Sequence, residues 1–206
     1  MASFQFVVDE SMTKRSFGNQ WRTTFLETVQ QHERAAPLKE AALQGKLGAW
    51  TKELTAIAVS TCEALGWRAS AKGHRLELLP VIGSEYLGMD VMAFPEGMKR
   101  WRFPSAVIEL ENSQNDDRVA YSLWKVLAVR ADLRIVFCYR RSTAKGSALI
   151  RSLREEVIEA MGIAGRMKLE GEIVVVVGSY DNSSTFPYGF FKWWQLDSNT
   201  GMFTQS

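Results

Sequence analysis

Residues 86–94 read Tyr86-Leu87-Gly88-Met89-Asp90-Val91-Met92-Ala93-Phe94, an apolar run of strand length and composition with a single acid, Asp90, near its middle. A loop rich in Lys, Arg and Trp separates it from a second run, Ser105-Ala106-Val107-Ile108-Glu109-Leu110-Glu111. Side chains alternate faces along a strand, so Glu109 and Glu111 point one way while Ile108 and Leu110 point the other, toward a core. A polar turn over Asn112 to Asp117, an amphipathic helix over 117–130 and an apolar strand over 133–139 follow. Acids on like-facing positions of neighbouring strands repel one another unless a cation lies between them, and hard divalent cations prefer carboxylate oxygens. Asp90, Glu109 and Glu111 are therefore candidate ligands for one or two metal ions. The plainer alternative is a solvated sheet face that happens to carry glutamates.

Composition narrows the field without deciding it. The chain has 206 residues, 46% hydrophobic and 23% charged, enough for one well-cored domain. Formal charge is +2, too small to argue for nucleic acid by itself. Cys62 and Cys138 sit in apolar segments, as buried thiols do, and His32 and His74 lie far apart, which disfavours a zinc site. The beginning of the chain lacks the apolar core of a signal peptide, and no stretch is apolar for the length of a membrane span. A cytoplasmic protein is the expectation.

Outward from the acids, the chain reads as α/β, a mixed sheet with flanking helices. Phe4–Asp9 alternates as a short strand. Trp21, Phe25 and Val29 give one stripe to a helix over 18–35, Pro37 punctuates, and 39–47 forms another short helix. Residues 1–48 are too few for their own core and read as a helical N-terminal extension to a core of residues 49–206. Leu54, Ile57, Ala58, Thr61 and Leu65 define a helix over 51–65 that stops at Gly66. Trp67–Val81 reads as a first core strand, with Glu77 and Glu85 on the surface.

The loop 95–104 carries Lys99-Arg100-Trp101-Arg102, cations with an interleaved aromatic. That combination suits phosphate contacts and base stacking, since the loop joins the two acid-bearing strands; a solvated hairpin tip is the alternative. In the following helix Val119, Leu123, Val126 and Leu127 form the apolar face, with Lys125 nearly opposite and therefore solvated. Gln114, three positions past the acids, is a further neighbour for the site. Leu133–Tyr139 reads as a central strand buried on both faces, with Arg140, Arg141 and Lys145 a basic outlet at its end. A helix capped by Ser147 crosses over to a parallel strand at Ile173–Val177. The aromatic run Tyr188–Leu196 closes an edge of the sheet or offers a partner surface, a homodimer included.

The order of parts adds to this reading. A helix, three strands with an acid on the second and an acid-x-acid on the third, a helix and an apolar strand resembles the restriction-endonuclease-like PD-(D/E)XK nuclease superfamily. Asp90, 19 positions before Glu109, and the triplet Glu109-Leu110-Glu111 carry the resemblance, which covers roughly residues 50–140. No Pro precedes Asp90, and Glu111 stands where the family usually has Lys. The resemblance implies a restriction-endonuclease-like core and a metal-dependent deoxyribonuclease, endo- or exonucleolytic, using Mg2+ or Mn2+. It implies Asp90, Glu109 and Glu111 as catalytic metal ligands and DNA as partner. In some members an acid on the first helix joins the site, which makes Glu53 a candidate. In others the catalytic Lys has moved to the helix after the acids, the place of Lys125. Lys99, Arg100, Trp101, Arg102, Arg140 and Arg141 become candidate DNA contacts. The alternative is an inactive relative that binds nucleic acid or a protein through the same surface.

Overall fold

The computed structural model describes residues 16–97 and 99–206, so the strand expected at Phe4–Asp9 lies outside the described residues. Three helices come first: α1 (Phe17–Gln30), α2 (His32–Leu43) and α3 (Leu47–Ala64). Seven strands follow, β1 (Trp67–Ala71), β2 (Val91–Pro95), β3 (Ala106–Leu110), β4 (Leu133–Arg140), β5 (Glu172–Ser179), β6 (Phe191–Asp197) and β7 (Met202–Gln205). Helix α4 (Asp116–Leu127) lies between β3 and β4, and α5 (Thr143–Leu153) and the short α6 (Gly162–Arg166) lie between β4 and β5.

The strands form one mixed sheet in sequence order. β1, β2 and β3 are an antiparallel meander. β3, β4 and β5 are parallel, each pair joined by a helical crossover, and β6 and β7 return antiparallel. The alternation of β3 sorts its residues as the sequence requires. Ile108 and Leu110 face the core beneath α1–α3, while Val107 faces the core beneath α4 and α5. Both faces of the sheet are thus covered, and Glu109 points into a packed layer, not into solvent.

Helices α1 and α2 share the first core with the sheet: Trp21 and Phe25 pack against Phe137 and Trp193. The expected division at residue 48 falls inside α3. The carboxylate of Glu172 accepts from the N–H groups of Phe17 (2.7 Å) and Gly18 (3.2 Å), pinning the start of α1 to β5. Pro37 sits inside α2 and does not break it, because Leu38, Ala41 and Ala42 are buried in the same core.

Several expected boundaries move. β1 stops at Ala71 because Lys72-Gly73 turns the chain and His74 pairs back onto Ala71, with Gly73 at φ 82°. Residues 74–90 then run along the α4 side of the sheet, where Leu78, Leu79 and Tyr86 pack. Tyr86–Gly88 is a helical turn and no part of β2, so Asp90 stands just before the strand. Helix α5 begins five residues earlier than its expected cap, at Ser142, whose hydroxyl accepts from Lys145 N. The aromatic run is not an edge: β7, formed through a turn at Gly201, covers β6.

Candidate active site

The parallel strands β3 and β4 end on the same side of the sheet, where the loops after them and the start of β2 meet. Asp90 and Glu109 interlock there. Asp90 N donates to Glu109 Oε1 (3.2 Å), and Leu110 N donates to Asp90 Oδ2 (2.7 Å). Two adjacent strand ends hold each other's carboxylates through backbone N–H groups. Glu109 is only 5% exposed.

Lys125 completes the cluster, contrary to the solvated role that helical phasing assigned it. Its ammonium lies 2.8 Å from Glu109 Oε1 and donates to Gly88 O at 2.6 Å. Two facts explain the discrepancy. The buried face of α4 includes Ser122 while Leu127 is only half-buried, which rotates that face toward Lys125. Helical side chains also lean toward the helix N-terminus, here the end at which the acids lie. Gly88 O is aimed by a left-handed pair, Leu87 (φ 56°) and Gly88 (φ 66°). For Leu87 that conformation carries strain. The hydroxyl of Tyr86 braces the turn by donating to Val81 O (2.9 Å) and accepting from Gly83 N (3.1 Å).

Two buried arginines, one at each end of β4, fix α4 and therefore Lys125. Arg134 donates from Nε to Val126 O (3.1 Å) and Val129 O (3.0 Å), satisfying carbonyls at the helix C-terminus. Arg140, 3% exposed, pairs with Asp116 in the first turn (2.7 Å) and donates to Ser113 O (3.1 Å) and Tyr139 O (2.8 Å). Arg140 is thus engaged as a clamp within the protein, whereas Arg141 is exposed at the same end.

Burial dominates the electrostatics. It pushes the Glu109 carboxyl up from 4.5 to about 7; the Lys125 hydrogen bond opposes this, and the charge of Asp90 adds to it. Asp90 is also raised by burial, opposed by the Leu110 N–H and Lys125, with Glu85 and Glu111 adding repulsion.

A cleft of about 680 Å³ opens beside Asp90, between α3 and the turn after β1. Lys52, Lys72, His74 and Glu85 line it together with Asp90. Glu85 is exposed, as its sequence context suggests, and shares the cleft with Asp90. The loop after β3 is tied to this wall, Asn112 Nδ2 donating to Thr51 Oγ1 (2.9 Å).

The remaining expectations fare unevenly. Glu111 follows β3 half-buried, and its Oε1 accepts from Ser113 N (2.7 Å), shaping the turn. Gln114 donates to Tyr139 O (3.0 Å) instead of facing the acids. Glu53 is half-buried on α3 and, among the described residues, makes no hydrogen bond or ion pair with Asp90, Glu109 or Lys125. The basic loop does join β2 and β3, but at their far ends. Five residues at about 3.4 Å each place it roughly 15 Å or more from the acids. Arg102 is turned inward there, donating to Lys99 O (3.0 Å), Pro95 O (3.3 Å) and Gly97 O. Trp101 stays 65% exposed.

Among the described residues, no three His, Cys, Asp or Glu side chains converge as a metal-holding group. The donor set still suits an oxygen-preferring ion. One oxygen each of Asp90 and Glu109 accepts no protein hydrogen bond among the described residues. Magnesium commonly takes only one or two carboxylates and leaves its other positions to water and phosphate. Also among the described residues, no helix is long and apolar enough to cross a membrane. Comparison with protein-family models, curated proteins and solved structures finds no match.

Proposed function

We propose that this chain is a metal-dependent phosphodiester hydrolase acting on DNA, built like the restriction-endonuclease-like nucleases. The observation that carries the reading is the junction of Asp90, Glu109 and Lys125 where the parallel strands end, with Asp90 the member that also lines the neighbouring cleft. Two carboxylates and a lysine, contributed by three neighbouring elements and partly withdrawn from water, match what phosphoryl transfer needs: positioning and charge stabilisation.

Asp90 and Glu109 would hold the Mg2+ or Mn2+ through their free oxygens, and the ion would supply Lewis-acid polarisation of the phosphate and activation of water. Lys125, from the helix after the acids, would take over the part of the family's motif lysine. Its ammonium offers positive charge to the phosphate oxygens and holds Glu109 in place. Glu111 orients the turn after β3 and thereby the mouth of the cleft.

The second reading, a relative that binds nucleic acid or protein without cutting, draws on Glu111 being engaged by Ser113 N and on the lack of a three-acid cluster among the described residues. One experiment separates them. Wild type and Glu109→Ala are incubated with single-stranded, duplex and branched DNA in magnesium or manganese. The hydrolase reading expects cleavage by wild type, a loss on the order of 10²–10³-fold in the variant, and retained DNA binding. No cleavage by wild type on any substrate with either ion sinks it in favour of the binder.

A further inference from the structure

We propose that Lys52, Lys72 and His74 form a phosphate-binding wall along the cleft that ends at Asp90, so that the protein grips nucleic acid by its backbone and does not read bases there. The inference rests on the phosphodiesterase reading above and names how its substrate is held.

The wall has two fixed sides. Gly48, Thr51, Lys52, Thr55 and Ala56 recur at helical spacing and present one stripe of α3 to the cleft. Gly48 and Ala56 keep that stripe low, so Lys52 is its projecting charge. Opposite, Lys72 and Gly73 make a two-residue turn closed by Ala71 N to His74 O (3.1 Å) and His74 N to Ala71 O (2.8 Å). Gly73 takes φ 82°, a conformation that disfavours other residues. Lys72 and His74 therefore flank a rigid turn and are not carried by a loose loop. Neither lysine has an ion-pair partner among the described residues, whereas Lys125 and Arg140 do. Charge of both signs thus lines the cleft, Lys52 and Lys72 together with Glu85 and Asp90. That is the pattern for a polyanion whose reacting phosphate must approach the acids.

The same lining argues against base readout. Among the described residues it contains no Phe, Tyr or Trp for stacking and no Arg, Asn or Gln to grip a base edge with a planar fork or amide. The threonine hydroxyls are spent on their own helix, Thr51 on Leu47 O (3.0 Å) and Thr55 on Thr51 O (2.7 Å). Contacts to phosphate carry no sequence information.

The test is anisotropy of a labelled mixed-sequence oligonucleotide, single-stranded and duplex, titrated without divalent metal across a range of KCl. Lys52→Ala/Lys72→Ala is expected to flatten the salt slope by about 1.4 on single strands and about 1.8 on duplex, from two lost charges, and to weaken binding roughly tenfold or more at 0.1 M salt. Lys52→Arg/Lys72→Arg should restore the slope, and Arg151→Ala/Lys168→Ala, on other surfaces, should leave it at the wild-type value. A double-alanine variant that keeps the wild-type slope, while wild type binds or cuts, overturns the wall and leaves the phosphodiesterase reading standing. More than a tenfold preference of wild type for one sequence overturns the backbone-only part. Wild type that neither binds nor cuts with magnesium or manganese overturns both readings together.

Discussion

The β2–β3 hairpin has two ends that differ in how their charges are used. At one end Asp90, Glu109 and Lys125 are withdrawn from water and hold one another by hydrogen bonds no longer than 3.2 Å. At the other, Lys99 and Arg100 stand in solvent and Arg102 is folded onto its own loop's carbonyls. Both ends offer candidates in sequence, the acids for a metal and the loop for phosphate, the loop being dense in cations around a tryptophan. Charge density, however, says nothing about orientation. What makes the first end chemically special is burial, which raises the cost of every unpaired charge and so makes the geometry of the pairs matter.

This contrast can be broken or sharpened experimentally. The largest effect is expected from Lys125→Ala, which should lower metal-dependent cleavage on the order of 10²-fold or more. Lys125→Arg should recover only part, because a planar guanidinium does not fit a point-charge position between Glu109 and Gly88 O. Full activity in Lys125→Ala would return Lys125 to a structural role. Next, Arg140→Ala removes the clamp at the start of α4 and is expected to destabilise the fold by about 2 kcal/mol, read as a lower denaturant midpoint with unchanged slope. A loss of DNA affinity without any loss of stability would restore its expected role as a DNA contact.

A smaller effect concerns pH. The folded Glu109 binds its proton more tightly than the unfolded chain does, at about 7 against 4.5. Between those values the native state holds the extra proton, so its contribution to stability is greatest below about 4.5 and declines as pH rises to about 7. Metal-free unfolding curves should show this decline in wild type and lose it in Glu109→Gln; identical pH profiles would mean that Glu109 is ionised throughout. The smallest effect is expected at the far end of the hairpin. Lys99→Ala/Arg100→Ala should change cleavage less than Lys52→Ala/Lys72→Ala does, and a salt slope that falls as far would put the hairpin tip on the substrate path.

Much of the scaffold was legible because it rests on short-range rules. The alternation of Ile108, Glu109 and Leu110, the doubly buried β4, the crossover to β5 and the core stripe of Trp21, Phe25 and Val29 all follow from period and hydrophobicity. The errors came where a local signal had two outcomes. Asp90 read as mid-strand because nothing in Tyr86-Leu87-Gly88 announces a left-handed Leu. Lys52 and Lys72 drew no attention and His74 was weighed only as a zinc ligand, since two lysines and a histidine become a cleft wall only when α3 packs beside the β1 turn.

The sequence by itself determined which residues alternate, which are apolar enough to be buried and therefore that a mixed sheet sits between helical layers. It also determined that the strand after Asp90 and the strand bearing Glu109 are neighbours, because a strand, a loop and a strand of these lengths can hardly do otherwise. Only the tertiary structure decided which charges are spent and which are available. Arg140 and Lys125 look alike as basic residues beside apolar ones. One became a buried clamp and the other a partner of Glu109 because helix α4 settled at a particular rotation and height on the sheet. That docking is set by the summed packing of Val119, Leu123 and Val126 against strands distant in sequence, a sum that no local pattern contains.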